Sequence, residues 1–208
     1  MKKIICVALS LLMLGFVFTS CSKPPKADEI DLSTVESLDG ITDSDKETDY
    51  VLITVEGYGE MLVRLFPDVA PETVKNFKKL VGQGFYNGLI FHRVIEDFMI
   101  QGGDPEGTGM GGSDQTIKGE FAKNGFENNL SHKRGVISMA RSNKPDSASS
   151  QFFIMHKDTS YLDGQYASFG FVVYGLDTVD KIAAVNTNDN DKPLEDVVIT
   201  SIKFVNVK

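Results

Sequence analysis

From Val51 to Val207 the large apolar residues fall in short runs broken by glycine, aspartate and asparagine, and this punctuation limits the fold more than anything else in the chain. Val51–Val55 and Met61–Phe66 read as strands joined through Gly57-Tyr58-Gly59 as a hairpin. Further strands are expected at Val136–Met139, Gln151–Met155 and Phe169–Val173, with Val197–Val207 as the last. Two segments change to helical spacing. Pro71 opens the first, with Val74, Phe77, Leu80 and Val81 on one face and Gly82 and Gly84 as its stop. Leu176, Val179, Ile182 and Ala183 mark the second. Many short strands with two helices fit a closed barrel capped at its ends, and periodicity alone does not separate this from a sandwich.

The run Phe91-His92-Arg93-Val94-Ile95-Glu96-Asp97-Phe98-Met99-Ile100-Gln101-Gly102-Gly103-Asp104 carries the chemistry. It reads as two apolar strands turning at Glu96-Asp97. Strand alternation puts Phe91, Arg93 and Ile95 on one face, and Phe98 and Ile100 together after the turn. A guanidinium among large hydrophobes is costly unless it is solvated or partnered. An edge strand with a solvated arginine is one reading; an apolar pocket with a few fixed donors is the other.

This run is similar to the signature of the cyclophilins, the peptidyl-prolyl isomerases that bind cyclosporin. Gly135–Arg141, Ser149–Ile154 and Tyr161–Gly170 resemble further blocks of that family in order and spacing, and the likeness covers Tyr50 to Lys208. It implies a mainly β fold: a closed eight-stranded antiparallel β-barrel capped by two α-helices, spanning residues 50–208. It implies peptidyl-prolyl isomerase activity, with Arg93 as the catalytic group and no cofactor or metal. By the same likeness His92, Phe98, Met99, Phe153 and Leu162 belong to the substrate pocket. Gln101 contacts substrate and steadies the arginine, Gln151 lies on the same wall, and the backbone of Ala140 and Arg141 pairs with the peptide. Three positions depart from the pattern: Tyr161 stands where many members carry tryptophan, Tyr166 where many carry histidine, and Arg141 where asparagine is usual. Tyr161 therefore alters reach and shape for cyclosporin, and the other two alter preference for the residue before proline. The competing function is a proline-segment binding module or chaperone in which turnover is incidental.

The first residues speak to location. Met1-Lys2-Lys3 precedes an apolar run from Ile4 to Phe18, which suits a secretory signal over residues 1–20. Phe18-Thr19-Ser20-Cys21 resembles a bacterial lipobox, making Cys21 the acylated first residue of an exported protein held at a membrane's extracytoplasmic face. Cys6 lies inside the removable run, so the mature chain is expected to hold no disulfide. Residues 21–49, with Pro24-Pro25 and many acidic residues, read as a flexible linker. That segment supplies much of the net charge of -8, and overall acidity argues against nucleic-acid binding. The expected partners are proline-containing polypeptides, and the expected state is a monomer.

Other signals carry less. Gly107-Thr108-Gly109-Met110-Gly111-Gly112 satisfies G-x-G-x-x-G without opening a helix, so it reads as a tight loop beside the active face. His92, His132 and His156 lack metal-ligand spacing, and no nucleophile stands in a recognised motif for His92 to activate.

Overall fold

The computed structural model describes residues Pro24–Val207; the signal segment 1–20 and Cys21 lie outside the described residues. Nine strands and two helices follow in the order β1 (Thr42–Asp43), β2 (Tyr50–Val55), β3 (Gly59–Leu65), α1 (Pro71–Gly82), β4 (Arg93–Ile95), β5 (Met99–Gly102), β6 (Val136–Met139), β7 (Phe152–Met155), β8 (Ala167–Tyr174), α2 (Leu176–Ala183) and β9 (Ile199–Asn206). They form one antiparallel sheet in the order β1-β9-β2-β3-β8-β6-β7-β5-β4. The fold is mainly β with two helices, as expected. The closed eight-stranded barrel is not what the pairing gives: the sheet has nine strands and an open order. Across the seam runs one isolated bridge, Ile90 with Val198, flanked by hydrogen bonds from Phe91 to Val197 and from Gly88 to Ile199.

The sheet curls because its register slips at Thr54/Val55, Leu62/Val63 and Ile137/Ser138, each slip adding local twist. One apolar cluster fills its inside. Phe77 of α1 sits at the centre, its ring 5.1 Å from Tyr86, 5.7 Å from Phe152 and 5.2 Å from Phe169. Helix α1 ends in a Schellman motif: Gly84, at φ +64, donates to Val81, and Phe85 donates to Leu80. Before α2, Gly175 has φ +87, and an added Cβ would meet the carbonyl oxygen of Glu60 at 2.0 Å, so glycine is the residue that fits.

A second apolar cluster lies on the outer face of the sheet, and here the acidic linker departs from expectation. Ile30, Leu32, Leu38 and Ile41 pack against that cluster. The amide of Val35 donates to Val173, Asp31 pairs with Arg64 at 3.2 Å, and β1 adds to β9 with Thr42 opposite Asn206. A composition argument averages these apolar residues away. The structure gives each of them a surface to cover, so residues 24–49 lie along the sheet.

Candidate active site

Strands β4 and β5 place the key side chains through their register. Arg93 faces Gln101 across the ladder, and Gln101 faces Phe153 on β7. Side chains at such paired positions emerge on one face of the sheet. The turn between the strands holds Asp97 at φ +59, a left-handed conformation that aspartate tolerates. Just past β5, Gly103 lies so close to the segment leading into β7 that an added Cβ would lie 2.5 Å from the carbonyl of Ser150.

The cleft has a volume of about 670 Å³. Arg93, His92 and Gln101 line it together with Phe98, Met99, Phe153, Leu162, Ala140, Arg141 and Tyr166. Met99, Phe153 and Leu162 are buried and supply an apolar surface. Phe153 is held from both sides. Tyr166 meets it edge-on at 5.7 Å, and His132 stacks beneath it at 6.0 Å. His132 is itself locked, with one ring nitrogen 2.9 Å from Asp163 and the other 3.0 Å from Ser138 Oγ. Burial holds the His132 pKa below its ordinary range, against the opposing pull of Asp163.

Not every expected residue arrives in the cleft. Tyr161 is 65% exposed and stacks on Phe98 outside it, 6.1 Å between ring centres. It follows the short turn at Ser160–Leu162, which buries Leu162 and sends its neighbour outward. Gln151 stands on the same wall as Gln101 but faces the adjoining hollow: its amide is taken by the carbonyls of Gly109 and Gly111, and its oxygen accepts from Gln101 at 2.8 Å. Gln101 is thus turned toward Gln151, and the group on Arg93 Nε is Asp191, at 3.2 Å. The amide of Ala140 donates to the carbonyl of Gln151, so that donor is spent within the protein. Strand alternation also misplaced two rings. Phe91 precedes β4 and belongs to the interior cluster, while Phe98 sits in the turn and joins the outer cluster, away from Ile100.

Sequence reasoning missed the loop between α2 and β9, where Asn188, Asn190 and Lys192 also line the cleft. The run Asn188-Asp189-Asn190-Asp191 was legible as a turn, but its arrival beside Arg93 depends on the fold of the whole chain. Gly107, Thr108 and Gly109 line the opposite rim. Their loop is shaped by Asp104, whose carboxylate accepts from the amides of Glu106, Thr108 and Gly109 at 2.8, 3.0 and 2.6 Å. Burial works against that charge, yet the backbone donors outweigh it and hold Asp104 below the usual carboxylate range. His92 is 5% exposed, and among the described residues neither of its ring nitrogens has a partner. Burial keeps its pKa low as well.

The cleft therefore offers a permanently charged donor over an apolar surface, which suits binding a small apolar ring beside a polar backbone. Residues 50–204 match the family model described as cyclophilin type peptidyl-prolyl cis-trans isomerase/CLD. The chain is 43% identical over 148 residues to a peptidyl-prolyl cis-trans isomerase-like 1 of Emericella nidulans, covering 71% of this chain and 90% of that protein. It is 38% identical over 182 residues to a putative peptidyl-prolyl cis-trans isomerase of Staphylococcus saprophyticus, covering 74% and 91%. A crystal structure of a Cryptosporidium parvum cyclophilin type isomerase, in the presence of the dipeptide Ala-Pro, superposes with a TM-score of 0.68 at 34% identity. It covers 74% of this chain and 97% of that one. With the family model spanning the curled sheet from β2 into β9 and relatives matched over most of their own length, this chain belongs to the cyclophilin-type peptidyl-prolyl cis-trans isomerases and has that activity.

Proposed function

We propose that Arg93 drives the rotation and that the protein acts on proline-containing segments of exported polypeptides, from a lipid anchor at Cys21. The observation that carries the first part is the placement of Arg93 at the wall of a cleft in which Met99, Phe153 and Leu162 supply an apolar surface. A peptide bond resists rotation by roughly 18–20 kcal/mol because the nitrogen lone pair is delocalised into the carbonyl. In the twisted transition state that pair returns to the prolyl nitrogen, which becomes a better acceptor. A donor aimed there favours the transition state over either planar form. Arg93 keeps its charge throughout, so no proton needs to move. Met99, Phe153 and Leu162 receive the proline ring. Lowering the barrier by about 7 kcal/mol gives roughly a 10⁵-fold acceleration.

The basic start, the apolar run and Cys21 support export and acylation. The protein works as a monomer on the outer side of the membrane, assisting folding.

The test is cis-to-trans exchange of a short X-Pro peptide by the full-length protein in detergent, beside Arg93→Ala. Turnover lost in the variant, with peptide still bound, supports the assignment. Equal turnover in both would sink the role of Arg93. Peptide capture without turnover in the unmodified protein would favour a binding module.

A further inference from the structure

Arg93 is held by a residue almost a hundred positions away in sequence, and that residue grips the strand twice. The Asp191 carboxylate accepts from Arg93 Nε at 3.2 Å, and its backbone carbonyl accepts from the amide of Val94 at 2.8 Å. Its loop is braced from within. Asn188 Oδ1 accepts from the amides of Asn190 at 2.9 Å and Lys192 at 3.1 Å, and the amide of Asp191 donates to the carbonyl of Asn188 at 3.0 Å. The bracing holds Asp191 at φ +62, a left-handed conformation that aspartate tolerates. That bracing, with the bond from the Val94 amide, fixes where the Asp191 carboxylate meets Arg93.

We propose that Asp191 is a positioning residue for the isomerase. It takes the Nε donor of Arg93 and leaves the two Nη groups for the peptide. The inference rests on Arg93 being the donor to the prolyl nitrogen. Both partners have side chains 42% exposed, so the ion pair adds little to stability, and geometry is what it supplies. Arginine has many rotamers, and a guanidinium fixed before substrate arrives loses less freedom on reaching the transition state.

Asp191→Asn and Asp191→Gly both tolerate the left-handed backbone, so each keeps the loop while changing the side chain. Asparagine retains an acceptor without charge; glycine removes it. In the full-length protein with a short X-Pro peptide, kcat should fall about tenfold in the glycine variant and less in the asparagine variant, with KM within about twofold. On an Arg93→Ala background the glycine change should cost nothing further. Unchanged or increased turnover in the glycine variant, or an additional loss on that background, overturns the positioning role and leaves Arg93 standing. Should the glycine variant melt earlier than the unmodified protein, the asparagine variant decides by the same criteria. Full turnover by Arg93→Ala alone would instead remove the reading on which the inference rests.

Discussion

The Arg141 guanidinium carbon lies 4.7 Å from the centre of the Tyr166 ring, so two residues that line the cleft are in contact with each other. The same guanidinium sits 4.9 Å from the Phe121 ring and donates twice to the carbonyl of Gln165, at 3.1 and 2.8 Å. Tyr166 in turn meets Phe153 edge-on. One wall of the cleft is therefore a stack in which each member orients the next, with Arg141 folded back on it.

Arg141→Ala should loosen that wall without touching the Arg93 chemistry. The loss of cation–π contact and charged hydrogen bonds is about 1–2 kcal/mol at a half-exposed site. We expect KM for an X-Pro peptide to rise about fivefold with kcat within about twofold. Steady-state kinetics on peptides differing at the residue before proline measures this. A fall in kcat at constant KM would contradict it.

Turnover should be insensitive to pH above about 6.5, because an arginine donor keeps its charge there and burial lowers the pKa of His92 from its ordinary value, leaving that ring neutral above it. Stability should behave differently. Burial depresses the pKa of His132, so below about pH 6.5 the unfolded chain binds more protons than the folded one, and stability falls as pH falls. kcat/KM and Tm followed together from pH 5 to 9 should show a flat rate above about 6.5 and a declining Tm below it. A titration in kcat/KM between 7 and 9 would count against a donor that never changes charge.

Removing residues 24–49 should destabilise the domain. Ile30, Leu32, Leu38 and Ile41 would leave bare the apolar surface that includes Leu62, Val173 and Val205. Partial burial contributes about 1 kcal/mol per side chain, and the entropy of ordering the segment offsets much of it. A net loss on the order of 1–3 kcal/mol is expected, read as a lower denaturant midpoint with greater dye binding to exposed apolar surface. Equal midpoints for the two chains would show that the segment adds nothing.

Elements with strong local signals were legible. Pro71 and Gly84 bracket α1 in the sequence as they do in the structure, and Val136–Met139 is a strand in both. The cleft was legible where a resemblance carried it, from Arg93 through Phe153 to Tyr166. What escaped depends on distance in sequence. Asp191 meets Arg93 only because α2 and β9 return to the start of β4, and no periodicity in residues 184–198 encodes that meeting. Tyr161 and Leu162 are adjacent, and only the backbone of a short turn decides which enters the cleft. The linker escaped for another reason: four scattered apolar residues are invisible to composition but sufficient to cover a ready-made surface.

The open strand order has a consequence for self-association. An open sheet has two edges, and each can act as a template for another chain's backbone. Here one edge is β1, two residues long and carrying Asp43 in an ion pair with Lys203 at 3.2 Å. The other is β4, three residues long, with its central amide already given to Asp191. Neither leaves a ladder for a neighbouring copy to extend.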